Sequence, residues 1–292
     1  MSVIYISSLE MGKDCLRLVR GKIPIDYVLT IDVDQAERAR VSGYADFADL
    51  GIPTRYVSQY SMKASRDVDL VRALAPDLII VAGWNRLVPR AVLDIPRCGA
   101  VGLHGSADPL PAGRGRSPIS WALVAGAPQF FLHLFHLDEG VDSGDVIETA
   151  RFDLTPVDTC GTVFAKIAIV GAQLLLRNVP RILDGTAART PQVGQATYLH
   201  KRTPEGGRID WTMGLDAIVN LVRAVTRPYG GAFAEIDDGG RRVTMRIWEA
   251  APFSRDINFD GTVGAVVYRW QGKPLIKCAD GVLLVTEFAM VE

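Results

Sequence analysis

The run LIIVAG, residues 78–83, is continuously apolar and decides the fold class. A strand with no polar side chain in alternation is buried on both faces, as in a parallel sheet covered by helices. Further strand-like stretches lie on either side of it, at residues 3–7, 27–30, 54–57, 99–105, 130–138 and 145–154. Segments with helical spacing separate most of them, at residues 12–21, 68–75, 90–95, 118–126 and 159–178. This alternation predicts an α/β fold with a mostly parallel sheet.

The pattern changes near Asp184. Residues 185–205 are rich in Gly, Thr, Pro and charge and show no period, so we expect a linker there. One helix is predicted over Leu215–Val225, and short alternating stretches separated by glycines follow it. Several short strands with turn signals are typical of a small β-barrel or sandwich. We therefore predict a first domain at 1–184, a linker at 185–205 and a small C-terminal β-barrel domain at 206–292.

Composition limits the possible environments and partners. The 292 residues include 32 basic and 33 acidic side chains, so no overall field favours nucleic acid or an anionic membrane. The four cysteines are far apart and form no CxxC motif, which favours a reducing compartment over disulfides or a zinc site. No signal peptide is recognised, and no stretch approaches the ~20 apolar residues of a membrane span. We expect a cytoplasmic protein that needs no metal.

The segment GLHGSADPLPAGRGRSP, residues 102–118, follows a predicted strand. Open parallel sheets bind ligands beyond the carboxyl ends of their strands, and His104 is predicted to end this one. Asp142 lies in the acidic turn EGVDSGD (139–145), so it can reach the same sheet edge. A histidine paired with a carboxylate can hold and move a proton. The alternative is a histidine satisfied by a backbone partner in a tight turn.

Other motifs narrow the chemistry. No GxGxxG follows the first strand, which argues against a dinucleotide enzyme. Ser106 lacks the GxSxG elbow of a serine nucleophile. Arg114 and Arg116 precede a helix start, where guanidinium groups and backbone amides can hold an anionic group. Surface charge on a loop is an equal alternative for these arginines.

Together these residues carry a resemblance. His104, Ser106, the LP and RG pairs at 110–111 and 114–115, and the GVDSGD turn resemble the signature of the formyltetrahydrofolate-dependent formyltransferases. Downstream, KRTPEGGRIDW (201–211) and LVRAVTRPYGGAF (221–233) are similar to the hinge and C-terminal domain of the tRNA and nucleotide-sugar enzymes of that family. The resemblance covers nearly the whole chain. It implies a Rossmann-like first domain, an OB-like C-terminal barrel, and 10-formyltetrahydrofolate as the co-substrate of an N-formyltransferase.

The resemblance also implies roles for single residues. His104 and Asp142 match two members of the family's catalytic trio, but Gly102 stands where the family has an asparagine. Losing one such donor costs about 3 kcal/mol of transition-state stabilisation if nothing replaces it. Either Asn85, His104 or a backbone N–H compensates, or the chain binds folate without transferring the formyl group.

The remaining implied contacts are with the two ligands. The loops 82–89 and 138–145 are expected to bind folate through Gly83, Trp84, Arg86, Leu87, Val88, Asp138, Gly140 and Val141. The acceptor substrate is expected to contact Ser106, Asp108, Arg114 and Arg116.

Charge bears on the acceptor. From residue 205 onward there are 10 basic and 12 acidic residues, which argues against a tRNA surface. The C-terminal extension argues against glycinamide ribonucleotide as the acceptor. We therefore expect an amine on a nucleotide-linked sugar, with a homodimer as the assembly. A methionyl-tRNA formyltransferase, a non-catalytic folate or nucleotide-binding module, and a formyl-folate hydrolase are the alternatives.

Overall fold

The computed structural model describes residues 1–291, and the chain divides into two compact units. The first unit combines residues 1–115, 129–152 and 164–199. The second combines residues 116–128 and 153–163 with the chain from His200 onward. Because each unit joins segments that are distant in sequence, this division yields no single boundary. The domain limits at 184 and 205 stay a prediction.

The first part of the chain contributes the strands β1 (Val3–Ile6), β2 (Tyr27–Thr30), β3 (Thr54–Tyr56), β4 (Leu78–Val81), β5 (Ala100–Ser106), β6 (Arg114–Gly115), β7 (Gln129–His136), β8 (Val146–Asp153) and β9 (Tyr198–Leu199). Seven of them form one sheet in the order β3-β2-β1-β4-β5-β7-β8, and β6 pairs with β9. The strands β1 to β5 are mutually parallel, whereas β7 runs antiparallel to β5. The predicted mostly parallel sheet is confirmed.

Within residues 1–291, seven α-helices accompany the strands: α1 (Glu10–Val19), α2 (Val33–Ala39), α3 (Ser65–Leu74), α4 (Arg90–Leu93), α5 (Pro118–Val124), α6 (Cys160–Leu183) and α7 (Leu215–Val225). Helix α2 is not among the helical segments predicted from the sequence, because residues 32–34 have the composition of an acidic turn. The Asp32 carboxylate caps this helix by accepting a hydrogen bond from Gln35 N at 2.7 Å. An aspartate at the N-cap position is a helix start signal, so the sequence does contain a local indication of this helix.

The core explains the central position of the apolar run. All four residues of β1 and all four of β4 are buried, so both faces of these strands are covered. One face packs on a cluster that includes Ile4, Ile79 and Val92. Because the two strands are central, their carboxyl ends open onto the middle of one sheet edge.

The second unit contains an antiparallel sheet built from β10 (Ala232–Asp238), β11 (Arg241–Ser254), β12 (Val266–Trp270), β13 (Lys273–Cys278) and β14 (Gly281–Val291). Their order is β10-β11-β14-β13-β12. Helix α7 packs its apolar side, including Ile218 and Val222, into the core of this sheet. A bridge between Asp237 and Ala265 links the edge strand β10 to the residues ahead of β12, so the sheet curls toward closure. The predicted small C-terminal β domain is confirmed.

Helix α6 has the length and apolar composition that could cross a bilayer. It is the exception to the expectation that no stretch approaches a membrane span. Val163, Leu174, Leu175 and Val179 in this helix are fully buried. Length and composition alone do not distinguish a membrane span from the core helix of a soluble protein.

Candidate functional site

A cleft opens at the carboxyl ends of β4 and β5. Its walls come from the loop that follows β4, from β5 itself, and from the turn between β7 and β8. The residues that line it are Val81, Gly83, Trp84, Arg86, Leu87, Val88, Gly102, Leu103, Phe135, Leu137, Asp138, Gly140 and Asp142. Seven of the eight residues predicted to bind folate are in this set, and Val141 is outside it. The structure therefore brings the two predicted folate loops to one cleft.

His104 lies within β5 and does not end it. The strand continues to Ser106 because β5 pairs with β7 as far as the Ser106–Phe131 register. The ring is buried, and its Nδ1 lies 3.3 Å from Asp142 Oδ2. Its Nε2 lies 2.9 Å from the carbonyl oxygen of Gly113. The predicted histidine–carboxylate pair is thus formed, and a backbone carbonyl contacts the other ring nitrogen.

Asp142 is held in an uncommon backbone conformation. Its φ is +50°, in the left-handed region that side chains other than glycine rarely adopt. Its Oδ2 also accepts a hydrogen bond from Gly115 N at 2.9 Å. Gly115 N and His104 Nδ1 therefore contact the same carboxylate oxygen, and these contacts orient the Asp142 side chain toward His104.

The contacts of His104 determine where its proton lies. A carbonyl oxygen only accepts hydrogen bonds, so the Nε2 that faces Gly113 must carry a hydrogen. In the neutral ring Nδ1 then has a lone pair that faces the carboxylate of Asp142. Two acceptors at 3.3 Å gain stability when a proton lies between them. The lone pair of Nδ1 and the carboxylate of Asp142 thus face each other beside the cleft.

His133 pairs with His104 across the two strands. Its Nε2 accepts a hydrogen bond from Leu110 N at 3.2 Å, and its Nδ1 donates to Thr149 Oγ1 at 2.8 Å. Burial, followed by the neighbouring His104, lowers the pKa of His133 to about 4. The neutral ring thus anchors the loop that follows β5. Sequence reasoning gave His133 no role, because its partner Leu110 is a backbone group with no sequence signal.

Leu137 lies beside position 102, where the family pattern has an asparagine. A Cβ on Gly102 would lie 2.7 Å from Leu137 Cδ2. Leu137 thus fills the space that a side chain at position 102 would need, and it lines the cleft there. No donor from position 102 reaches the cleft, and an apolar wall replaces it.

Asn85 lies outside the cleft lining, and its role as a substitute donor stays a prediction. Its side chain is exposed and is not among the groups that line the cleft, while its backbone N donates to Tyr60 Oη at 3.2 Å. The neighbouring Trp84 packs edge-on against Tyr60, with ring centroids 4.6 Å apart. Its indole Nε1 is buried without a hydrogen-bond partner among residues 1–291. An unpaired donor beside the cleft is compatible with a ligand rich in acceptor atoms, such as a pterin.

The four residues predicted to contact the acceptor have different surroundings. The Ser106 hydroxyl is buried and donates to the carbonyl oxygens of Asp108 and Ala112, so it stabilises the loop and does not face the cleft. The side chains of Asp108 and Arg116 are exposed. Arg114 donates through Nε and Nη2 to Gln192 Oε1, at 3.2 and 2.7 Å. Contact with a substrate stays a prediction for all four residues.

Sequence reasoning missed the role of residues 189–199, which were assigned to a linker. Thr197 Oγ1 accepts a hydrogen bond from Gly113 N at 2.9 Å, and β9 pairs with β6. Gln192 contacts both Arg114 and the turn that contains Asp142. These contacts join residues more than 40 positions apart, so no local pattern could reveal them.

Two family models match the chain. The model described as "Formyl transferase" matches residues 18–179, and "Formyl transferase, C-terminal domain" matches residues 201–290. The methionyl-tRNA formyltransferase of Burkholderia vietnamiensis is 32% identical over 302 residues, which covers 98% of this chain and 89% of that protein.

Solved structures share the fold. One is a sugar 3N-formyl transferase, determined in the presence of dTDP and 5-N-formyl-THF, with a TM-score of 0.67 and 13% identity over 98% of this chain and 97% of that one. Another is HypX from Aquifex aeolicus in complex with tetrahydrofolic acid, with a TM-score of 0.69 and 18% identity. The match covers 98% of this chain but only 43% of HypX. At these identities the likeness shows the fold alone.

Proposed function

The chain belongs to the formyl transferase family and takes its formyl group from formyltetrahydrofolate; from this premise we propose that His104 and Asp142 assist the attack of an acceptor amine on the formyl carbon. The observation that carries the proposal is the 3.3 Å contact between His104 Nδ1 and Asp142 Oδ2 at the cleft. Residues from both loops predicted to bind folate line the same cleft as Asp142.

The reaction requires a proton to move twice. The amine nitrogen forms a bond to the formyl carbon, and the carbonyl electrons pass to oxygen. The amine proton passes to the His104–Asp142 pair, because a base within hydrogen-bond reach lowers the barrier to attack. When the carbonyl re-forms, the bond from carbon to the folate nitrogen breaks and that nitrogen takes the proton. Tetrahydrofolate and a formylated amine are the products.

The oxyanion needs a donor because Gly102 supplies none. The Nε2–H of His104 is the donor that we assign to this role. In this structure it bonds to Gly113 O at 2.9 Å, so the proposed role requires this contact to be exchanged for one with the developing oxyanion. A donor of this kind is worth about 3 kcal/mol when it is aimed at the oxyanion. This assignment makes His104 a substitute for the missing asparagine.

Methionyl-tRNA is the first candidate acceptor. The relatives with this name match up to 98% of the chain at about one third identity, and this sequence likeness is stronger than any argument from charge. The expectation of a nucleotide-linked amino sugar as the main acceptor is therefore placed second. Arg116 is exposed and makes no hydrogen bond or ion pair with residues 1–291, so it is free to meet a phosphate of either acceptor.

A nucleotide-linked amino sugar remains the second candidate. It is favoured by the excess of acidic over basic residues from position 205 onward, which weakens binding to a polyanion. A homodimer and a cytoplasmic location accompany either acceptor as predictions.

A competition between acceptors tests the proposal. The protein is incubated with 10-formyltetrahydrofolate and either methionyl-tRNA or a panel of nucleotide-linked amino sugars, and formylated product is measured by mass spectrometry. We expect formyl-methionyl-tRNA, and formylation of the sugars alone would select the second candidate. Formate release without an amine would identify a hydrolase, and tight folate binding without any transfer would identify a binding module. Either of these last two results would overturn the proposal.

A further inference from the structure

The amide of Gln192 joins two parts of the site. Its Nε2 donates to the carbonyl oxygens of Asp142 and Gly144, at 2.9 and 2.8 Å. Its Oε1 accepts from Arg114 Nε and Nη2, at 3.2 and 2.7 Å. Because the two carbonyls need donors and the guanidinium needs an acceptor, only one orientation of the amide satisfies all four contacts.

These contacts hold the backbone of the turn that contains Asp142, whose carboxylate has the proposed role in proton transfer. Asp142 adopts a φ of +50°, which is unfavourable for a residue with a Cβ. Gly115 N and His104 Nδ1 meet its carboxylate, but they do not hold its main chain. The hydrogen bonds from Gln192 stabilise the strained backbone on the opposite side. Asp142 is thus held at both its side chain and its carbonyl.

The neighbours of Gln192 place it accurately. Thr190 and Val146 exchange two backbone hydrogen bonds, of 2.8 and 2.9 Å, two residues before Gln192. Farther along, Thr197 O accepts from Arg114 N at 3.0 Å. Backbone hydrogen bonds at Thr190 and at Thr197 therefore fix the segment that carries Gln192 on both sides of it. A side chain fixed in this way can impose a position on the turn.

We infer that Gln192 is a positioning residue that holds Asp142 in register with His104 during formyl transfer. This inference rests on the proposed function, since it assigns Gln192 a part in the same step. A displacement of about 1 Å in a reacting group can cost up to 100-fold in rate. We expect the loss to appear mainly in kcat, because Gln192 itself does not line the cleft.

Two substitutions separate its donor role from its acceptor role. Gln192→Leu removes both sets of contacts. Gln192→Glu keeps an acceptor for Arg114 but cannot donate to the carbonyls of Asp142 and Gly144. If the donor role matters, both variants lose at least 10-fold in kcat, with folate affinity within threefold of the wild type. If Gln192 only ties Arg114 to its loop, Gln192→Glu keeps the wild-type rate, and this result overturns the inference.

A matched control is available on the same unit. Gln129 Oε1 accepts a solvent-exposed hydrogen bond from Arg151 Nη1 at 3.3 Å, and Gln129 lies outside the cleft lining. Gln129→Leu therefore removes a glutamine–arginine contact without touching the turn. We expect its kcat to stay within twofold of the wild type. An equal loss in this control would attribute the Gln192 effect to general destabilisation and would overturn the inference.

A second readout does not need turnover. The chain has four histidines, so selective ¹⁵N labelling gives few ring signals. Asp142→Asn assigns the change that His104 shows when its carboxylate partner is lost. We expect Gln192→Glu to shift the His104 signals in the same direction, and unchanged signals would contradict the inference. If the wild type transfers no formyl group, the proposed function fails, and these signals still decide the role of Gln192.

Discussion

Two parts of the same cleft, the turn 138–145 and position 102 of β5, differ in how their chemistry is secured. In the turn, the carboxylate of Asp142 contacts His104 and Gly115 N, and its carbonyl accepts from Gln192. At position 102 there is no side chain, and Leu137 occupies the space beside the glycine. One expected catalytic group is held from several sides, and the other is replaced by an apolar wall.

The difference bears on the proposed function. A backbone strained at an acid that lies next to a histidine, with both its carboxylate and its carbonyl accepting hydrogen bonds, is costly to maintain unless the position of the acid matters. At position 102 an apolar side chain stands where the family pattern has a donor, while the contact between His104 and Asp142 is formed. In the proposed reaction the oxyanion donor therefore comes from His104, and the same ring takes part in proton transfer.

Removal of the Asp142 carboxylate from the turn 138–145 should have a large effect on turnover. Asp142→Ala deletes the carboxylate that faces His104 Nδ1, and we expect kcat to fall by about 10²–10³-fold. Glu139→Ala, in the same turn but exposed, serves as the control and should keep its rate. Rates are measured with saturating folate and acceptor. A turnover for Asp142→Ala within threefold of the wild type would show that the contact has no catalytic role.

The stability of the folded chain should also depend on pH through His133, which pairs with His104. The pKa of His133 is lowered to about 4 in the folded chain, below its usual value near 6.5. As the pH falls, the unfolded chain therefore takes up the proton first, and stability that is complete above pH 6.5 is lost toward pH 4. The contribution is up to ~3 kcal/mol.

His133→Gln isolates this contribution. We expect the difference in unfolding free energy between the wild type and this variant to be constant above pH 6.5 and to shrink toward pH 4. Urea titrations at several pH values provide the measurement. A difference that does not depend on pH would mean that His133 does not titrate as its surroundings indicate.

The contact between Leu137 and position 102 can be tested by placing a side chain at that position. Gly102→Asn brings a Cβ to 2.7 Å from Leu137 Cδ2, and we expect a loss of about 1–3 kcal/mol in stability from overpacking. Gly102→Asn combined with Leu137→Ala removes the clash, so the double variant should be more stable than the sum of the single effects predicts. Thermal denaturation of the four proteins measures this coupling. Simple additivity would show that Leu137 does not fill the space.

Substitution at Asn85 should have the smallest effect. Its side chain is exposed and outside the cleft lining, so Asn85→Ala is expected to change kcat by less than twofold. A loss of 10-fold or more would restore Asn85 as the substitute oxyanion donor and would remove that role from His104.

Much of the fold and part of the site could be predicted from the sequence. The apolar run at 78–83 revealed a central buried strand because full burial leaves no room for alternation. His104 and Asp142 were found because a glycine-rich strand end and an acidic turn lie at known places in such a sheet. These features are local, and local pattern is what a sequence displays.

The contacts that complete the site could not be found in this way. Gln192 meets Asp142 across 50 positions, and Leu110 N meets His133 across 23. The blocking of position 102 by Leu137 depends on the register and rotamers of the sheet, which no spacing encodes. The contacts of residues 189–199 could not be predicted, because they are long-range hydrogen bonds, while the composition of the segment is that of a loop.

The central claim, that His104 moves the proton and supplies the oxyanion donor, is tested most directly by single-turnover formyl transfer in His104→Ala. Folate affinity is measured in parallel by fluorescence titration. We predict a rate at least 10³-fold below the wild type with folate affinity changed only a few-fold. An unchanged single-turnover rate would contradict the claim and move the chemistry to another group.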